Sequence, residues 1–140
     1  MKEEPLHREI LEEHAQNPKH QKKLATFNRS AKLASRKTGN ACEIFYLEEE
    51  GIIKEIGVTM QGSALALACS SLMGAEVVGY SMSQASELAK KLIRFLEEGK
   101  EFFLPGDLIV YDSIKRFPER HDCALLSWRS LILAMGAPDA

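Results

Sequence analysis

From Ser63 to Ala75 the chain reads SALALACSSLMGA without one charged side chain, and the uncharged run reaches back through VTMQG to Val58. A helix that is apolar all round has no face to offer water, so other elements must enclose it. Any fold this chain adopts therefore has that helix at its centre. The run breaks at Gln61-Gly62, and Ser63 stands where an N-cap belongs. The same turn carries unpaired N–H groups and the positive end of the helix dipole, which attract anions, thiolates or the anionic ligands of a metal. A capped core helix and a ligand-holding helix start both fit this pattern.

With 140 residues and 45% hydrophobic content, the chain is expected to form one domain, residues 1–140, around a real core. Its 18 basic and 20 acidic residues leave a charge of -2 with no basic stripe, which argues against nucleic acid as a partner. No apolar run reaches membrane-spanning length, and the opening MKEEPLHREI is acidic where a signal peptide would be basic and then apolar. The expectation is a cytoplasmic protein with no membrane contact. Three cysteines, without a Cys-x-x-Cys pair, give neither a disulfide framework nor a zinc ribbon.

Around the central helix the other elements fall into order. Pro5, Leu6, Ile10 and Leu11 predict a short amphipathic helix stopped at Asn17-Pro18. His7, Leu11 and His14 share a face, with the histidines two turns apart, too far for the usual pair of metal ligands, so both are expected on the surface or partly packed. KHQKKLATFNRSAKLASRK is basic and polar, a loop with one edge strand. NACEIFYL, the turn EEEG and IIKEIGVTM predict a β-hairpin, which puts Thr38, Asn40 and Cys42 on one face if its first strand begins that early. SMSQASELAKKLIRFLEEG predicts an amphipathic helix capped by Ser81 or Ser83 and ended by Gly99. A connector with a short helix around Leu108–Ile114 follows, and HDCALLSWRSLILAMG predicts a last helix ending at Gly136. The architecture is α+β, a small antiparallel sheet carrying helices on one side.

His121-Asp122-Cys123 is the densest group of potential metal ligands, and it falls at a helix start, where thiolates are favoured. Cys123 is the candidate nucleophile or ligand. Asp122 reads as a second ligand or as the helix cap, and Arg120 as a stabiliser of an anion such as a persulfide or as a solvated cation. Cys69, among Ala68, Ser70 and Leu72, reads as packing, and Cys42 as core or as a thiol facing the site from its strand.

In this order, LHREILEEHAQNPKH, a polar loop, a hairpin, an Ala- and Ser-rich helix, a second helix and PERHDCALLSW resemble the NifU/IscU-type iron–sulfur cluster assembly scaffolds, with PERHDCALLSWRSL most similar to the SufU-like branch. The resemblance implies a three-stranded sheet packed against a layer of helices. It also implies an iron–sulfur cluster or zinc, a role as a scaffold rather than an enzyme, and a cysteine desulfurase and other assembly proteins as partners. Self-association through the uncharged helix faces is left open.

The family's site, a Cys-Gly-Asp turn plus one cysteine at each of two helix starts, falls here on Thr38-Gly39-Asn40, Ser63 and Cys123, so Cys123 is the only usual thiol left. Hydroxyls and a neutral amide do not replace soft anionic ligands. The expectation is a degenerate site. A substitute metal set of Cys123, Asp122, His121 and Cys42 would require a backbone shift, because one two-residue strand step is about 6.6 Å and a zinc–sulfur bond about 2.3 Å. Three readings follow: a sulfur acceptor through Cys123, a zinc-bearing sulfur-transfer enzyme that needs the missing ligands, and a metal-free interaction module that keeps the fold to bind partners.

Overall fold

The computed structural model describes residues 4–136, so the one-domain expectation extends at both ends over residues outside those described, as does the Met1–Glu3 part of the leader argument. Helix α1 (Pro5–Gln16) starts on its proline and ends at Asn17, whose N–H donates to the Glu13 carbonyl. Strands β1 (Arg29–Ala34), β2 (Ala41–Glu49) and β3 (Ile52–Gln61) form an antiparallel sheet in the order β1-β2-β3. The hairpin closes through Glu50 and Gly51, both at positive φ (54° and 80°), the left-handed pair a tight two-residue turn demands.

The uncharged run becomes helix α2 (Ala64–Val77), which packs against α1, β3 and the last helix, and nine of its residues are buried. Helix α3 (Met82–Glu97) starts at a capping box: Ser81 Oγ accepts from the Gln84 N–H, and Gln84 Oε1 accepts from the Ser81 N–H, each at 3.0 Å. The connector makes a 3-10 turn (Gly106–Val110) and the short helix α4 (Tyr111–Ile114). A second 3-10 turn (Pro118–Arg120) then leads into helix α5 (His121–Ala134). One face of the sheet supplies Cys42, Ile44, Tyr46, Ile53, Ile56 and Val58 to the core shared with the helices. On the other face Phe45 is buried under the loop before β1, where Phe27 meets it edge-on at 5.0 Å. No helix among the described residues is long and apolar enough to cross a membrane.

His14 is more deeply packed than the surface or partly packed position expected of it. Its ring is buried, and Nδ1 lies 2.7 Å from Ser71 Oγ, which also accepts from the Lys19 N–H at 2.7 Å. That hydroxyl shares a hydrogen bond with Nδ1, while Nε2 on the other side of the ring faces the Asp107 carboxylate at 3.8 Å. His7 binds Ser113 (2.6 Å). Burial holds the ionisation of His14 and of His20, which packs on Gly74 of α2, below the ordinary histidine value.

The unfolded chain therefore takes up protons more readily than the folded one. The stability these neutral rings contribute is complete above pH 6.5 and is lost as pH falls through 6.5 toward their lowered values, by at most about 1.4 kcal/mol per pH unit for each ring. Urea midpoints should thus be lower at pH 5.5 than at pH 7.5, with a smaller drop in His14→Gln. An equal drop in both proteins would remove His14 from the account.

Candidate functional site

Three distant parts of the chain meet at the N-terminal ends of α2 and α5. The first is the turn between β1 and β2. Ser35 N–H donates to the Asn40 carbonyl (2.8 Å), Gly39 N–H donates to the Ser35 carbonyl (2.9 Å), and Gly39 takes φ +79°. This turn corrects one expectation: Thr38 does not extend β2, which starts at Ala41, so Thr38 shares no strand face with Asn40 and Cys42. It is exposed, and its Oγ1 accepts from the Asn40 N–H at 3.2 Å.

Asn40 is the joint of the site, 2% exposed. Its Oδ1 accepts from the Ser63 N–H at 2.9 Å and its Nδ2 donates to Cys123 Sγ at 3.1 Å. One carboxamide thus ties the β1–β2 turn to both helix starts. Gly62 makes room for it: φ is +149°, and a Cβ there would lie 1.7 Å from Asn40 Oδ1. The Gln61-Gly62 break in the sequence is where the backbone yields to this side chain. The Ser63 hydroxyl caps α2, accepting from the Ala66 N–H at 3.1 Å.

The third part is the start of α5. Here the helix cap differs from the one expected. Arg120, without a side-chain bond to the first turn, occupies the cap position, while Asp122 accepts from the Ser35 hydroxyl. The preceding 3-10 turn uses the Arg120 and His121 N–H groups, which donate to the Phe117 and Pro118 carbonyls. The Arg120 guanidinium lies 4.2 Å from the centre of the Phe117 ring. His121 Nε2 donates to the Lys115 carbonyl at 3.1 Å.

Cys123 is half-buried, whereas Cys42 and Cys69 are buried. Burial pushes the Cys42 thiol up to about 11, with Ser130 beside it, and the Cys69 thiol up to about 12. Neither forms a thiolate near neutral pH. Behind Cys123 the Tyr111 hydroxyl donates to the Ala124 carbonyl (2.7 Å) and accepts from the Trp128 indole N–H (3.0 Å). This buried brace on the first turn of α5 was absent from the sequence reading; the polar tips of two aromatics in otherwise apolar segments are its only trace there.

The substitute ligand set does not form. Among the described residues no three His, Cys, Asp or Glu side chains come together as a metal would require. Cys42 is turned into the core, Asp122 is held by Ser35 and His121 by Lys115. At the family's positions the donors are two hydroxyls, an amide whose two polar atoms are already bonded to protein, and one thiol. Zinc and iron–sulfur clusters take thiolate, imidazole or carboxylate donors. The residues present do not fit either group. Beside the joint lies an open groove of about 770 Å³, lined among others by Lys37, Thr38, Glu97, Glu119, His121 and Asp122.

Comparison with known proteins agrees with this arrangement of elements. The family model for the NifU-like N-terminal domain matches residues 6–134. The chain is 22% identical to the zinc-dependent sulfurtransferase SufU of Bacillus subtilis (strain 168) over 129 residues, 90% of this chain and 86% of that protein. It is 24% identical to the iron–sulfur cluster assembly scaffold protein IscU of Streptococcus pyogenes serotype M1, over 90% of this chain and 80% of that one. Among solved structures, FiSufU of Fervidobacterium islandicum AW-1, assigned to iron–sulfur cluster assembly in the SUF system, superposes with a TM-score of 0.85 at 22% identity, covering 91% of this chain and 94% of its own.

Proposed function

This chain belongs to the family of NifU-like N-terminal domains, the iron–sulfur cluster assembly scaffolds, and from that premise we propose that it serves cluster assembly without holding a cluster, by taking sulfur onto Cys123. The observation that carries this reading is the pairing of a half-buried thiol with a fixed N–H donor, Asn40 Nδ2 at 3.1 Å, while the other two thiols lie in the core. The partner is a cysteine desulfurase, whose persulfide is the sulfur source, and the compartment is the cytoplasm.

The step balances without an oxidant. The Cys123 thiolate attacks the outer sulfur of the donor's persulfide, R–S–SH. A new S–S bond forms to Cys123, the donor's S–S bond breaks, its proton stays on the transferred sulfur, and the donor leaves as R–S⁻. The Asn40 amide N–H is placed to stabilise negative charge on Cys123 sulfur, and its orientation is set by the Ser63 N–H on its other side. Arg120, one turn of chain away, is the nearest cationic residue in sequence.

Incubation with a desulfurase and cysteine, followed by thiol blocking and mass spectrometry, is expected to add one sulfur atom to Cys123. Cys123→Ser should abolish the label, and Cys42→Ala and Cys69→Ala should keep it. An unlabelled Cys123 under conditions that load a scaffold of this family would reject sulfur acceptance. The metal-free interaction module would then be the better reading, since direct hydrogen bonds through Asn40 hold the three loci together.

A further inference from the structure

The two edges of the sheet are treated differently. The outer edge of β3 is occupied: Val58 N–H donates to the His20 carbonyl (2.8 Å), Ile53 N–H donates to the Tyr80 carbonyl (2.9 Å), and Ile52 bridges Ser81. The outer edge of β1 is open. The Ser35 N–H to Asn40 carbonyl bond marks 35 and 40 as a bonded pair of the β1–β2 ladder. By the alternation of antiparallel ladders, Leu33 and Ala31 then face β2, and Ser30, Lys32 and Ala34 turn their N–H and C=O groups away from it. Among the described residues no hydrogen bond from outside the sheet meets those three backbones, and their side chains are exposed. Ser30 and Ala34 are small, so Lys32 is the only side chain on this edge of a kind that discourages strand pairing.

This edge is also where positive charge collects. Between Glu13 and Glu43 the chain has seven lysines and arginines and no acidic residue. The linear pattern shows no stripe, but the fold lines four of these cations along β1. Lys23 lies over Phe45 (5.7 Å), which pairs with Ser30; Lys32 is mid-strand; Arg36 and Lys37 follow its end. Arg29 is not among them, being paired with Glu48 at 3.6 Å. Glu43 stands across the ladder from Lys32, and Asp122 holds Ser35, yet among the described residues no ion pair engages Lys23, Lys32, Arg36 or Lys37.

We propose that the β1 edge is a docking strand for an extended acidic segment of a partner protein, which joins the sheet beside β1. Side chains of an added strand alternate. Acidic ones would lie on the face of Lys23 and Lys32, and apolar ones on the face of the half-buried Ala31 and Leu33. The segment therefore has the pattern acidic-apolar-acidic-apolar. β1 leads into the turn that carries Thr38 and Asn40, so a partner seated there is brought alongside Cys123. This inference goes beyond sulfur acceptance and does not depend on it.

The test uses the full chain and a fluorescein-labelled octapeptide of alternating Glu and Val, followed by anisotropy and by amide exchange. Binding that weakens with salt, with slowed exchange at the Ser30, Lys32 and Ala34 amides, is the expected result. Lys32→Pro removes an outward N–H without breaking a ladder bond and should weaken binding at least tenfold, as should Lys32→Glu, which keeps the backbone. Lys54→Glu, an exposed reversal on β3, and Cys123→Ser should leave it unchanged. Absence of binding, protection elsewhere, equal loss in Lys54→Glu, or equal affinity for a DNA duplex that survives Lys32→Pro would each overturn the proposal. Loss in Cys123→Ser alone would overturn it too, while leaving sulfur acceptance intact.

Discussion

Thr38→Cys, Asn40→Asp and Ser63→Cys, made together, are expected to turn a protein that keeps no zinc through desalting into one that keeps about one zinc per chain. The positions meet at Asn40, whose carboxamide bonds the Ser63 N–H (2.9 Å) and Cys123 Sγ (3.1 Å) and whose backbone N–H donates to Thr38 Oγ1 (3.2 Å). The triple variant replaces a committed amide and two neutral hydroxyls with a carboxylate and two thiols, which with Cys123 make a three-sulfur, one-oxygen set of the kind zinc takes in tetrahedral sites. Retention through a column needs a dissociation constant near 1 μM, about 8 kcal/mol, below the about 10–16 kcal/mol measured for four-donor structural zinc sites. The margin allows for imperfect geometry. Single replacements leave at most two anionic donors beside a hydroxyl or amide and should retain little. The readout is metal content of untagged protein with its melting temperature, which zinc should raise in the triple variant only. A folded triple variant without zinc would show that the loci do not converge as described.

Asn40→Ala is expected to lower stability by about 2–4 kcal/mol, a large share of the 5–15 kcal/mol typical of a domain. It removes two side-chain hydrogen bonds, worth about 1 kcal/mol each, and leaves a hole where a buried amide joined a turn to two helix starts. Asn40→Asp keeps the acceptor for the Ser63 N–H but loses the donor to sulfur, so its loss should be smaller. Gly62→Ala should be severe alone, because the added Cβ meets Asn40 Oδ1, and milder when combined with Asn40→Ala, which removes that clash and leaves only the backbone strain at φ +149°. Urea unfolding of the four proteins closes the cycle. A loss below about 0.5 kcal/mol for Asn40→Ala, or additive effects of the pair, would deny Asn40 its joining role.

Much of the fold could be read from local signals because those signals are short-range. An uncharged run after a break and a serine locates α2 and its cap, Glu50-Gly51 closes the hairpin, and Gly99 lies just past α3. What local signals do not carry is which side chain meets which across the fold. Periodicity put His14 on the face of Leu11, but its burial depends on Ser71, 57 residues away. Thr38 would share the strand face of Cys42 only if β2 began that early, and Gly39, at φ +79°, supports a turn and not a strand. Asp122, at the first turn of a helix, looked like a cap until the 3-10 turn ahead of it took up the N–H groups and Ser35 claimed its carboxylate. The positions of the family's site came from resemblance, and the identity of their residues gave the chemistry. That Asn40 bridges two of them depends on Gly62, 22 residues further along the chain, which no spacing rule connects to it.

Trp128, the chain's single tryptophan, is fully buried, and its indole N–H reaches the first turn of α5 through the Tyr111 hydroxyl. The molecule thus comes with its own fluorophore, wired by two hydrogen bonds to the Ala124 carbonyl, one residue along from Cys123. Its emission alone can time the opening of that helix, with no dye attached and no other indole to confuse the trace.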